Sequence, residues 1–86
     1  MQDVISLCDI DVGQSAVVVK ILSSGSIIRR FLDIGLVSGT RVTCLMKSPC
    51  GDPTAYLIRG AVIAIRRKDA ADILAIREDF NSGTYE

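Results

Sequence analysis

The side chains in this 86-residue sequence best suited to metal ligation or nucleophilic chemistry are Cys8, Cys44 and Cys50, with Asp9, Asp11 and Asp52 near two of them. Histidine is absent altogether. That removes the commonest general base and the commonest transition-metal ligand together. A Ser-His-Asp or Cys-His centre is therefore excluded within this chain, as is a HExxH or Cys2His2 zinc site. A closed transition-metal site wants about four ligands, usually histidine or paired cysteine. Cys50 and Asp52 in one loop, and Cys8, Asp9 and Asp11 near the start, fall short of that. The expectation is no metal site, no catalytic site and no cofactor, with Asp52 bracing its own turn, Cys44 a small core hydrophobe and Cys50 incidental.

An odd number of cysteines without a CxxC pair fits a reducing compartment better than a disulfide framework. The start, MQDVISLCDIDV, carries acids where a secretory leader carries cations. The longest apolar run, Ala61 to Ile65, is far below the roughly 20 residues that span a bilayer. A cytoplasmic protein without membrane insertion is expected. One domain fits the length, and 49% hydrophobic residues suffice for a packed core but leave little volume for a deep cleft.

Formal net charge is zero, yet the charges are unevenly spread. Lys20, Arg29, Arg30, Arg41, Lys47, Arg59, Arg66, Arg67 and Lys68 share their stretch with only two acids, Asp33 and Asp52. The other acids crowd the two ends. A basic middle fits an acidic protein or a nucleic acid. Acidic ends folded back over the middle would cancel it.

The elements that must position these groups follow from periodicity. Ser15 to Leu22 is a β-branched run and reads as the first strand. Ile27, Ile28, Phe31, Leu32 and Ile34 then recur at helical spacing, with Arg29, Arg30 and Asp33 on the other face. Ser26 can cap this two-turn helix, and Gly35 can end it with Leu36 packing back. After Gly39, Arg41 to Met46 alternates, with Val42, Cys44 and Met46 on one face. Two prolines stiffen the loop Ser48-Pro49-Cys50-Gly51-Asp52-Pro53. Thr54 to Arg59 is the returning strand, Gly60 a tight turn, and Ala61 to Arg66, apolar on both faces, a central strand. Lys68 to Asp72 makes a helical turn, Ile73 to Ile76 closes the sheet, and residues 77–86 form a polar, frayed tail. About five strands, one short helix after the first and a helical turn before the last suit a small, mainly β barrel that closes its own edges, occupying residues 1–76.

Taken in order, Ser26 to Gly39 (SIIRRFLDIGLVSG), Thr40-Arg41-Val42, the loop Ser48 to Pro53, Arg59-Gly60, Ala64 to Arg67 and Ala70 to Ile73 resemble the FeoA family from about residue 7 to 76. Phe31, where leucine is usual, and the cysteines at 44 and 50 depart from that pattern. The resemblance implies an SH3-like barrel, a fold also found at the C-terminus of DtxR-type metal-dependent repressors. It implies a cytosolic accessory role in bacterial ferrous iron uptake, with the FeoB permease and its cytoplasmic GTPase domain as partner. Transition metal ion binding is associated with the family, but the ligand count here does not support it.

Candidate partner-binding residues are Arg29 and Arg30 on the helix, Leu36 at its exit, and Pro49, Gly51, Asp52 and Pro53 in the loop. A solvated helix face and a loop that merely sets hairpin register are the plainer readings of the same residues. Gly35, Gly39 and Gly60 are assigned to backbone turns. Two alternatives stand beside a permease regulator: a nucleic-acid-binding small barrel, and a stand-alone sensor-type domain related to metal-dependent repressors. Nucleic acid is not expected, because Phe31 is assigned to the core and Tyr56, Phe80 and Tyr85 build no stacking platform. A weak homo-oligomer through a strand edge or the helix is a further expectation.

Overall fold

The structure, a computed structural model, describes residues 3–78. In chain order the elements are β1 (Val4–Ser6), a 3-10 turn (Leu7–Asp9), β2 (Ser15–Ile21), α1 (Ser26–Asp33), β3 (Arg41–Lys47), β4 (Thr54–Ile58), β5 (Ala61–Ile65), α2 (Arg67–Ala70) and β6 (Ile73–Arg77). All pairings are antiparallel, in the order β1-β6-β2-β3-β4-β5. One more strand is present than the sequence pattern predicts. Val4–Ser6 pairs with β6 through Val4↔Ile76, Ile5↔Ala75 and Ser6↔Leu74, so β6 lies inside the sheet.

The sheet bends because two of its strands carry bulges. In β2 the register against β6 shifts between Val18 and Lys20, and in β3 the register against β4 shifts between Cys44 and Met46. An extra residue in one strand bends it and sharpens its twist. The second bulge also breaks the predicted alternation: Val42 and Cys44 are fully buried, whereas Met46 is 62% exposed.

Leu7, Ile10, Val18, Phe31, Leu36, Val42, Tyr56, Ile58 and Ile73 fill the interior of this bend. Helix α1 contributes Phe31 to it, with Ile27 and Ile34 packed alongside. Leu32, placed on the apolar face by its spacing, is 56% exposed. Nor does Ser26 cap the helix; the residue before the first turn is Gly25, and no side chain caps there. The C-terminal end is a Schellman motif as predicted. Leu36 N–H donates to Phe31 O (2.8 Å) and Gly35 N–H to Leu32 O (3.0 Å), with Gly35 at φ +83°.

Strand β5 is the largest departure from expectation. It forms one end of the sheet, not its centre, and β1 forms the other, with no pairing between them among the described residues. Its apolar residues on both faces therefore do not reflect two-sided burial: Val62 is 65% exposed. The tail assignment also shifts, because Arg77 belongs to β6 and Glu78 N–H donates to Ser15 O (2.9 Å). Residues 79–86 lie outside the described residues, and with them Phe80 and Tyr85.

Candidate functional site

The loop after β3 is held from within and from the next helix. Gly51 N–H donates to Ser48 O (2.7 Å) and Ser48 N–H to Pro53 O (3.2 Å), with a cis peptide before Pro53. Asp52 Oδ1 accepts the backbone N–H of Arg67 at 2.8 Å. That N–H is one of the donors left free at the start of a helix, and a carboxylate is a strong acceptor for it. Asp52 thus braces α2 rather than its own turn. Pro49, Cys50 and Pro53 remain at the surface, and Gly51 is half-buried.

The corner after α1 is fixed by Thr40, which is 5% exposed. Its hydroxyl donates to Gly35 O (3.0 Å) and accepts Val37 N–H (3.0 Å). The corner is tied to β2 through Gly39 N–H to Val18 O (2.7 Å) and Val18 N–H to Thr40 O (2.9 Å). Leu36, a candidate contact residue, is wholly buried beneath this corner and offers no side chain to a partner. Gly35, Gly39 and Gly60 all have positive φ, as their assignment to turns requires. At Gly35 the requirement is double. A Cβ there would collide with Cδ of Arg59 and come within 2.9 Å of its Nε, so the Arg59 stem lies across the glycine. Arg59 (φ +50°) and Gly60 (φ +86°) are the central residues of a two-residue hairpin joining β4 to β5, the signature of a type I′ turn.

Arg29 and Arg30 are exposed on α1, as the helical pattern predicts. Arg30 borders an apolar slot of about 150 Å³ completed by Phe31, Ile34, Ile63, Ala64 and Ile65. A wider open cleft of about 530 Å³ lies between Gly39, Thr40, Arg41, Thr43, Leu57, Arg59 and Gly60. Sequence reasoning missed both Arg59 and the slot, since the first is defined by its contact with Gly35 and the second by the edge position of β5. The basic middle is only partly offset by the ends: Glu78 Oε1 pairs with Arg41 Nε at 2.8 Å, with both side chains partly exposed.

Cys8 and Cys44 are poor nucleophiles. Desolvation, with the Asp9 carboxylate adding to it, raises the Cys8 pKa above its ordinary 9.0, and burial raises that of Cys44. Thiolate is the reactive form, so both stay protonated near neutrality. Cys44 is the buried hydrophobe its position suggests, and Cys50 is exposed. Burial pushes the Tyr56 phenol up to about 12. Among the described residues no three of His, Cys, Asp or Glu gather closely enough to hold a metal ion. No helix among them is long and apolar enough to cross a membrane.

Comparison with known proteins places this architecture. The chain is 34% identical over 67 residues to a Fe(2+) transport protein A/Fe(2+) transporter FeoB fusion protein of Porphyromonas gingivalis; the match covers 78% of this chain and spans only 8% of the relative's length. The solution structure of FeoA from Chlorobium tepidum superposes with a TM-score of 0.79 at 30% identity, over 84% of this chain and 70% of the other. The zinc-complexed FeoA of Stenotrophomonas maltophilia, described as a prokaryotic SH3 domain protein, matches at TM-score 0.73 and 25% identity over 83% of this chain and 88% of the other. In fold alone, a manganese-dependent transcriptional repressor matches at TM-score 0.79 and 18% identity, over 91% of this chain and 44% of the other. The bent six-stranded sheet is thus an SH3-like fold. With the FeoA domain model matching residues 5–77, the chain belongs to the FeoA family.

Proposed function

We propose that this protein is a cytoplasmic accessory component of bacterial ferrous iron uptake that acts by binding a FeoB-type permease at its cytoplasmic GTPase domain, without catalysing a reaction itself. The observation that carries this reading is the fusion of a homologous FeoA segment to a FeoB transporter in one relative. Covalent fusion makes the encounter of two modules intramolecular, which favours weak, regulated contacts between them. The raised pKa values of Cys8 and Cys44, the absence of histidine from the sequence and the capping role of Asp52 support a binding role. A small barrel that prefers one nucleotide state of a GTPase shifts that equilibrium by its differential affinity alone.

Arg29 and Arg30 on α1, with Pro49, Gly51 and Pro53 in the loop, are the contact residues in this reading. Leu36, buried under the corner after α1, supports that corner rather than touching a partner. The test is calorimetric titration into the GTPase domain of the FeoB from the same genome, run apo, with GDP and with a GTP analogue. Saturable binding that differs between nucleotide states and weakens in Arg30→Ala is the expected result. No binding to that domain or to the full permease would remove direct contact as the mechanism.

A further inference from the structure

The end strand β5 and the neighbouring helix α1 form a groove that shares only Arg30 with the contacts proposed above. Three consecutive β5 residues (Ile63, Ala64, Ile65) line one wall of the apolar slot, and Arg30, Phe31 and Ile34 line the other. Successive strand residues point to opposite faces. Contact with all three therefore places the slot along the strand's edge. The hairpin fixes which backbone groups that edge presents. Ile58↔Ala61 closes a two-residue turn, so Ala61, Ile63 and Ile65 exchange hydrogen bonds with β4. Val62 and Ala64 then direct their N–H and C=O groups outward, and no described strand pairs there.

The ends of the groove are cationic. Arg59 lies before β5, Arg66 and Arg67 follow it, and Arg30 borders the slot; no ion pair among the described residues engages these four. Nearby acids are Asp33 on α1, Asp69 on α2 and Asp52, whose carboxylate is held by the Arg67 N–H. A second copy of this chain fits poorly. Antiparallel self-pairing of β5 would bring the Arg59 end of one copy beside the Arg66-Arg67 end of the other, setting like charges close together.

We propose that the groove between α1 and β5 binds an extended segment of a partner protein by strand addition. The segment pairs its backbone with Val62 and Ala64, places one apolar side chain in the slot between Phe31 and Ile63, and carries acidic residues toward Arg30, Arg59 and Arg66. Main-chain hydrogen bonds supply affinity in this mode, and side-chain pockets supply specificity. A volume of about 150 Å³ is of the size that takes up benzene in other proteins, enough for one such side chain. The inference goes beyond the permease reading and stands whichever protein supplies the strand.

The test uses synthetic nonapeptides that alternate threonine with valine, leucine, isoleucine or phenylalanine between acidic ends, titrated into the isotope-labelled full chain. The expected result is saturable shifts of the Val62 and Ala64 amides by at least one peptide. Binding should weaken about tenfold or more when the peptide's pairing nitrogens are methylated, because two main-chain hydrogen bonds are lost with the protein untouched. Ala64→Pro and Arg30→Glu should weaken it comparably, with the remaining spectrum unchanged. Equal binding of lysine-ended peptides, indifference to N-methylation, or no shift at Val62 and Ala64 with any peptide would overturn the proposal. So would concentration-dependent shifts of those amides without peptide, which would assign the edge to a second copy. Because no permease domain enters the experiment, its failure is separate from failure of the functional reading.

Discussion

Arg59 and Gly35 form a pair in which each constrains the other. The left-handed backbone of Gly35 costs a side-chain-bearing residue about 1–2 kcal/mol, and a new methyl there also meets the Arg59 stem. Gly35→Ala should therefore destabilise the fold by at least that amount in denaturant titrations. In an Arg59→Ala background the cost should fall by about 0.5 kcal/mol or more, the coupling expected of residues in contact. Equal costs in both backgrounds would mean that backbone strain alone sets the requirement for glycine. Tyr56 makes a second prediction at this scale. It is 1% exposed, and burial lifts its phenol from 10.0 to about 12. The unfolded chain then ionises first as pH rises, so the stability present below pH 10 is lost between about pH 10 and 12. The loss approaches 2–3 kcal/mol. Cys8 and Cys44, also raised, act in the same direction from about pH 9. Tyr56→Phe should remove the upper part of this alkaline loss; an unchanged profile would assign it to the thiols.

Elements set by local sequence were legible, and those set by distant pairing were not. The spacing of Ile27, Phe31 and Ile34 and the Gly35-Leu36 exit specify α1 within its own window, and Arg59-Gly60 specifies a hairpin in two residues. Val4–Ser6 is too short for periodicity to mark, and it is a strand only because β6 pairs with it. The reading of β5 failed for a related reason. A run apolar on both faces looks the same whether a strand is buried centrally or waits at an edge for cover. The candidate site divides likewise: Arg29 and Arg30 fell on the exposed face as predicted, whereas Leu36 was buried by the Schellman motif that its own position completes. Asp52 was noticed for the right property in the wrong element. Since it caps α2, Asp52→Ala should cost about 0.5–2 kcal/mol. Amide exchange should rise locally over Arg67 to Ala70 while the β3–β4 ladder keeps its protection. If the ladder opens instead, the carboxylate holds the loop and not the helix.

For the whole molecule, the consequence of this topology is that the last strand of the described chain lies inside the sheet and pairs with the first, which forms its edge. β6, the last strand, lies between β1 and β2, and Ser6 Oγ donates to Ala71 O at 2.9 Å. Such long-range pairings form only once the intervening chain is ordered, which ties β2 and β6 to global unfolding. β5 is joined to the sheet on one side only, and its exposed Val62 contributes little burial. Stability should therefore be graded from β6 outward. Native-state hydrogen exchange checks this directly: the Val18 and Ala75 amides should exchange at the rate of global unfolding, and those of Val62 and Ala64 faster by several orders of magnitude. This gradient suits strand addition, because an edge already ordered by β4 but unpaired outward presents its donors without needing to unfold. Slow exchange at Val62 and Ala64 in the isolated chain at low concentration would mean that the outward groups are already satisfied within the fold. The edge would then be closed rather than open, and a partner strand would have nothing to pair with.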